Sequence, residues 1–506
     1  MKARLGSLAG LFALAACQSL MPNGHLGLGI FERQADIGDT HIAGSAAYDA
    51  KTASYRITGG GENMWGGKDG LHFLWKRMSG DLGAAAEVGF VGTGGNPHRK
   101  AGVMIRQSLD PGSPYADLMV HGNGLVSLQY REEQGGETHE IQSNVSGPKR
   151  IRLEREGDYV HMSLSGADGA LHHAGGSLRI KLVGPYYVGL GVCAHDNAVS
   201  ETALFSNVKI AALPPAAPLP AGATPKVEST LEILDVASQN RRVVYQTAEH
   251  IEAPNWSRDG KYFLFNSADR LFTLPVEGGT PAPLDTGPQN KTNNDHGFSP
   301  DGTMIAFSDQ STPDNTSRVY VMALAGGVPR QITADGPSYW HGWSPDGKTL
   351  AVIAMRKGDF DVYAIPAAGG AERRLTTAPG LDDGSEYSPD GQYIYFNSVR
   401  SGNMKIWRMA PDGSHQEQVT SDEGWRDWFP HLSPDGKWIA FVSFGTEVAT
   451  GEHPANKDVS IRLMPASGGE SRAVARLFGG QGTMNVPSWS PDSTHLAFVS
   501  YRIVAP

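Results

Sequence analysis

The sequence predicts an all-β chain, an N-terminal β-sandwich followed by a C-terminal six-bladed β-propeller. Three observations carry that reading. A turn phrase, Ser-Pro-Asp-Gly or a close variant, recurs six times, starting at Ser257, Ser299, Ser344, Ser388, Ser433 and Ser490. Each copy is followed by an alternating apolar run, such as Tyr262-Phe263-Leu264-Phe265 or Trp438-Ile439-Ala440-Phe441. Glycine and proline number 63 and 32, as turn-dense β chains require.

Proline at the second turn position fixes φ, and Asp-Gly closes the turn with glycine at positive φ. An aromatic residue ahead of the turn and alternation after it make a hairpin with one buried face. The copies are roughly 42 to 45 residues apart, with one longer interval, which is the period of a four-stranded blade.

Taken in order, the chain opens with the basic Met1-Lys2-Ala3-Arg4 and an apolar stretch from Leu5 to Ala16. That stretch is too short to span a bilayer as a stable helix and reads as a targeting segment. Leu14-Ala15-Ala16-Cys17 resembles a bacterial lipobox. The resemblance implies a lipoprotein signal peptide over residues 1–17, cleavage before Cys17 and lipid on its sulfur. The membrane is then met through a lipid anchor only. Gln18 and Ser19 do not resemble an inner-membrane retention signal, which implies an outer-membrane anchor facing the periplasm or the cell surface. A plain signal peptide is the simpler alternative.

The other cysteine, Cys193, follows the apolar run Tyr187 to Val192 and reads as a core thiol. At 506 residues, two or three domains are expected. A net charge of −10 with no long basic run argues against nucleic acid as a partner.

Residues 24–210 hold short alternating runs broken by Gly, Asn and Asp, among them Leu71 to Trp75, Gly102 to Arg106 and Leu125 to Tyr130. Strands of that length at that spacing read as a β-sandwich. On Trp65 to Phe73, Lys100 to Arg106, Asp110 to Pro114, Tyr187 to Leu190 and Phe205 to Val208, the segment resembles the concanavalin-like jelly rolls of bacterial glycan-acting proteins. Residues 211–226 are rich in Pro and Ala and read as a stiff, extended linker.

The propeller is expected over residues 227–506. Ser229 to Asp235 and Arg241 to Tyr245 read as two strands ahead of the first repeat, and the chain ends soon after the sixth. The early pair is therefore expected to complete the last blade, which hides sheet edges. The repeats resemble those of TolB-like propellers of the periplasm, which implies a non-enzymatic scaffold for an envelope protein partner.

The strand before each turn is expected to line the central channel. Three residues before the serine stand Pro254, Pro430 and Pro487, but also His296, His341 and Ser385. The neighbouring segments are polar. They supply Asp295, Asp383, Glu386, Arg426, His431, Gln481 and Asn485. Imidazoles, an amide and carboxylates converging on one mouth make a candidate site for a divalent metal ion. Tyr339, Trp340 and Trp428 offer flat faces of the kind that stack on sugar rings. The simpler alternative is that each histidine caps a strand and bonds its neighbours. His296 and His341 stand three before serine, whereas Glu386 and His431 stand two before, so regular strands would turn the two groups opposite ways.

The longer connection Gly451 to Asp458 adds His453 and Lys457 as candidate acid/base or anion-binding groups, with a solvated loop as the alternative. The His-and-Gln set is similar to that of oligogalacturonate lyases. That resemblance implies His296, His341, His431 and Gln481 as metal ligands and His453 or Lys457 as the base that removes a proton beside a uronate carboxylate. Substrate contacts would then fall to Asp295, Tyr339, Trp340, Asp383, Glu386, Arg426, Trp428 and Asn485. Gly-X-Ser-X-Gly, phosphate-loop and Cys-X-X-Cys motifs are absent from the sequence, which argues against protease, nucleotide and redox roles. Two functions stay open. One is a cell-envelope lipoprotein that binds oligo- or polysaccharide and processes it as a metal-assisted lyase or glycan hydrolase. The other is a TolB-like scaffold.

Overall fold

A computed structural model describes residues 27–214 and 226–504, and every regular element among them is a strand. The expected signal peptide, Cys17 and most of the Pro/Ala-rich linker lie outside those residues.

The N-terminal part is two facing sheets. One runs in spatial order through Arg33–Ile37, Leu71–Met78, Tyr186–Cys193, Lys100–Arg106, Tyr115–His121, Val126–Arg131 and His139–Gln142. The other is built around Arg150–Glu156, Leu82–Phe90 and Glu201–Ala212. Alternation sends Val103, Ile105, Leu118 and Leu128 into the core between them, against Ala84, Leu153 and Phe205. The other face of the first sheet is polar and still buried, with Lys100, Arg106, Asp117, Gln129 and Arg131 on it. A connection covers that face. Arg131 donates to Gly66 O at 2.7 Å, and Lys100 to Asn63 Oδ1 at 2.8 Å. Cys193 is buried and its thiol donates to Gly61 O at 3.4 Å; burial pushes it up to about 11, as suits a core thiol.

The C-terminal part is a ring of sheets. Five are self-contained and four-stranded, with inner strands Ile251–Trp256, Thr292–Phe298, Ser338–Trp343, Asp382–Tyr387 and Arg426–Leu432. In every turn the serine hydroxyl donates to the aspartate carboxylate, from 2.5 Å at Ser490–Asp492 to 2.8 Å at Ser257–Asp259. Gly260, Gly302, Gly347, Gly391 and Gly436 all take φ between 68° and 73°. Ser493 holds the same place at φ 64°, and its hydroxyl accepts the Asp435 N–H at 3.0 Å.

The six-bladed expectation is corrected to five closed blades. The sixth repeat makes no separate four-stranded sheet. Its strand His495–Val504 pairs with Lys226–Asp235 along its whole length, from Lys226↔Val504 to Asp235↔His495. Lys226–Asp235 pairs with Arg241–Thr247, which in turn runs parallel to His139–Gln142 through Ile141↔Arg241 and Gln142↔Arg242. The early strand pair thus joins the last repeat to the N-terminal sheet in one ten-stranded sheet. The physical reason is edge satisfaction, since Arg241–Thr247 and His139–Gln142 would otherwise each present unpaired backbone groups. Buried contacts follow the seam. Arg241 pairs with Glu232 and donates to Ser177 O at 2.9 Å, and Ser177 N donates to Ser500 Oγ at 3.0 Å.

Candidate functional site

Each inner strand runs from one mouth of the ring to the other, ending at its turn. In five of the six repeats the residue five before the turn serine faces the first mouth; in the fifth it is Trp428, which does not. Glu252, Asn294, Tyr339, Asp383 and Asn485 occupy that position and line a cleft of about 520 Å³, joined by Asp295, His341, Phe429, His453 and Gln481. The inner strands are bulged at this height. Register shifts fall between Glu252 and Asn255, Asp383 and Glu386, and Trp428 and His431, and Ala253, Gly384 and Phe429 take φ of 56°, 60° and 55°. A bulge re-aims side chains, so simple alternation does not say which residues face the opening.

A charged network sits in the cleft. His341 Nε2 lies 3.1 Å from Asp383 Oδ1 and 3.9 Å from Asp295 Oδ1. His453 Nε2 lies 3.8 Å from the other oxygen of Asp383. The His341 ring stacks on Phe429 with centroids 6.2 Å apart, and His453 meets Trp428 edge-on at 4.3 Å. Burial pushes Asp295 up to about 6, with the neighbouring charge of Asp383 adding to it and His341 opposing. Burial alone would raise Asp383, but the hydrogen bond and charge of His341 outweigh it and hold this carboxyl below its usual range. Burial would lower His341, yet the Asp383 hydrogen bond and the charges of Asp295, Asp383 and Glu386 carry it above its usual value. His453 is lowered by burial, against the pull of Asp383.

The residues expected at the site separate into groups. Asp295, Tyr339, His341, Asp383, His453, Gln481 and Asn485 meet in the cleft. The metal ligand set does not assemble. His296 is fully buried with both ring nitrogens unpartnered, and burial takes it down to about 3, so it is a neutral enclosed ring. His431 is engaged at both nitrogens, 2.7 Å from Glu386 Oε2 and 3.1 Å from Met484 O. Among the described residues, no group of three or more His, Cys, Asp or Glu is placed to hold a metal ion. The donor set implied by the lyase resemblance therefore does not fit a metal centre here.

The stacking residues are corrected too. Trp340 and Trp428 are 1% and 0% exposed, so neither presents a face to this cleft; the bulge turns both into blade interiors. Glu386 lies toward the opposite mouth, Arg426 reaches Gly445 O at 3.4 Å, and Lys457 is exposed and separate from the cleft. Glu252 escaped the sequence reading. Its signal was the repeat position shared with Asp383, five residues before the serine rather than three.

His296→Leu is expected to leave the unfolding free energy unchanged or raise it by about 1 kcal/mol, because it removes a buried polar ring that bonds nothing. Urea denaturation of the two proteins checks this; a loss of stability would mean that the imidazole has a partner.

The TolB beta propeller domain matches residues 340–461. An uncharacterized protein of Agrobacterium fabrum is 47% identical over 276 residues, which are 54% of this chain and 93% of that protein. A solved structure from Agrobacterium tumefaciens, described as a candidate TolB, superposes with a TM-score of 0.53 at 47% identity, covering 56% of this chain and all of the other. The chain belongs to the TolB-like β-propeller family. Similarity also extends to the Tol-Pal system protein TolB of Francisella tularensis, at 26% identity over 138 residues, 26% of this chain and 31% of that relative. These TolB-like relatives match a little over half of the chain at most.

Proposed function

We propose that this TolB-like protein is a non-enzymatic binding protein of the cell envelope, held there by lipid on Cys17. Its polar propeller mouth receives a cationic segment of a partner protein. The observation that carries the reading is the charge of the cleft. Glu252, Asp295 and Asp383 line it and, among the described residues, neither Lys nor Arg does. A Lys or Arg side chain entering there would gain charge-assisted hydrogen bonds, with Tyr339 and Phe429 flanking its apolar stem. The relationship to TolB of the Tol-Pal system supports a protein partner, and the burial of Trp340 and Trp428 weakens the case for a sugar ring.

Calorimetric titration of the full-length protein with a capped Lys-rich peptide and with its Glu-for-Lys counterpart tests the proposal. Saturable binding of the first alone is expected; equal or preferred binding of the acidic peptide overturns it. Affinity for the cation is also expected to rise with pH. Below about pH 6 Asp295 is neutral and His341 carries a positive charge. As pH climbs through 6, Asp295 ionises and His341 then loses its proton, and both changes favour a bound cation. The same titration at pH 5 and pH 8 reads the sign.

The opposed shifts of Asp295 and Asp383 favour a second reading, acid–base cleavage of a glycan with one carboxyl protonated and the other ionised. Release of reducing ends from an oligosaccharide panel, lost in Asp295→Asn, would establish that reading in place of the first.

A further inference from the structure

The fifth blade differs from the other four in its outer strands. In the first four blades the third strand has 5 to 7 residues, as in Lys405–Met409 and Phe360–Pro366, and the fourth strand has two. In the fifth blade these strands are Ala455–Pro465 and Arg472–Gly480, of 11 and 9 residues. The surplus is a two-stranded ribbon that runs past the blade. It is paired from Val459↔Leu477 through Asp458↔Phe478 to Ala455↔Gly480.

The tip of the ribbon belongs to the acidic mouth. His453 stands just before it and Gln481 just after it, and both line the cleft. The two ends are tied together, since Gln481 N donates to Pro454 O at 3.3 Å. Gly480, at φ 113°, approaches Pro454 so closely that a Cβ there would lie 2.2 Å from its carbonyl oxygen. A bulge at Asn456, with φ 60°, bends the chain between the ribbon and His453.

The body of the ribbon rests on the sandwich. The Tyr159 hydroxyl donates to Asp458 Oδ1 at 2.5 Å, and Arg179 Nη2 lies 3.2 Å from Asp458 Oδ2. The Tyr159 ring meets Phe478 edge-on at 6.0 Å, and Phe478 N donates to Ser177 Oγ at 2.9 Å. Arg476 pairs with Glu132. A two-stranded ribbon is marginal in water by itself, so its place depends on what it leans against.

We propose that the sandwich positions one wall of the acidic mouth, with Tyr159 and Arg179 holding Asp458 so that His453 and Gln481 stay in the cleft. The effect on affinity rests on the reading of that mouth as a cation receptor. His453 covers one side of Asp383, its Nε2 lying 3.8 Å from the carboxylate. Keeping water off that side strengthens the pull of Asp383 on a cation, and a loosened ribbon lets water back.

Tyr159→Phe/Arg179→Gln in the full-length protein removes both ties from the sandwich side, and Asp458→Ala removes them from the propeller side. Each should weaken binding of the capped Lys-rich peptide about fivefold, and combining them should add nothing further. The second readout is the pKa of the His453 imidazole, followed by NMR without peptide and assigned with His453→Gln. Burial holds this ring below its ordinary value, so in both variants it should rise toward that value as water reaches it. A role confined to the junction would lower the unfolding midpoint and leave the His453 value in place. An unmoved His453 value overturns the proposal, and so does additivity of the two sets of changes. If the wild-type protein ignores the peptide while the His453 value still moves in the variants, the positioning is supported and the cation reading of the mouth is overturned.

Discussion

Asp69→Ala is expected to lower the unfolding free energy by about 3–5 kcal/mol. Asp69 is the counter-charge of two guanidinium groups. Arg131 Nη2 lies 2.7 Å from Oδ1 and Arg106 Nη2 3.2 Å from Oδ2, and the three side chains have no solvent exposure. Arg131 also donates to Gly66 O, Pro111 O and Ser113 O, so it fastens the covering connections to the sheet beneath. Without the carboxylate, two buried cations face each other with only carbonyls, the Thr138 hydroxyl and the Met104 thioether in contact. Burial already pulls Arg106 below its ordinary value, with Asp69 opposing. Urea denaturation followed by near-UV circular dichroism measures the effect as a lower midpoint at unchanged slope. A loss under about 1 kcal/mol would mean that water reaches these guanidiniums and that the network is of the weak surface kind.

Asp383→Asn is expected to weaken binding of a Lys-rich peptide by about thirtyfold or more, the range for truncating one partner of a buried charge pair. Asp383 is the hub of the polar mouth, within 4 Å of both His341 and His453. The change removes a negative charge beside the His341 ring and replaces a charge-assisted hydrogen bond by one to a neutral amide oxygen. His341→Gln separates this account from metal ligation. If His341 were a ligand, the variant would lose binding. Here His341 is a competing cation beside Asp295 and Asp383, so the variant should bind the Lys-rich peptide more tightly at pH 6. Weaker binding by His341→Gln would count against the charge argument, and restoration by added zinc would return the site to metal chemistry.

The turn phrase made the propeller legible because every atom it needs is local. Serine donates to aspartate two residues on, and glycine supplies the positive φ. The last copy shows how little must change, since Ser493 takes the same φ with help from Asp435. Blade number was less legible. The six repeats mark inner strands, but the outer partners of the last one come from before the first repeat and continue into the N-terminal sheet. The early strand pair completes the last repeat as expected from its place in the sequence, but no local pattern encodes its further pairing with His139–Gln142. The site was partly legible. His341, Asp383 and His453 stand together as the convergence of blades requires. His296, three before its serine, and Trp428, five before, were misplaced because the inner strands are bulged, so neither position faces the mouth in every blade. The buried Lys100, Asp117 and Gln129 face of the first sheet was hidden too, because polar residues at alternate strand positions ordinarily mean solvent.

The proposed cation enters the mouth beside Asp383. The most direct measurement is the pKa of the His341 imidazole, read by proton NMR with and without saturating Lys-rich peptide. A cation sharing the carboxylates makes the protonated ring less favourable, so the His341 value should fall by about one unit on binding. A value that stays in place, or rises, while the peptide is demonstrably bound would put the ligand elsewhere on the protein.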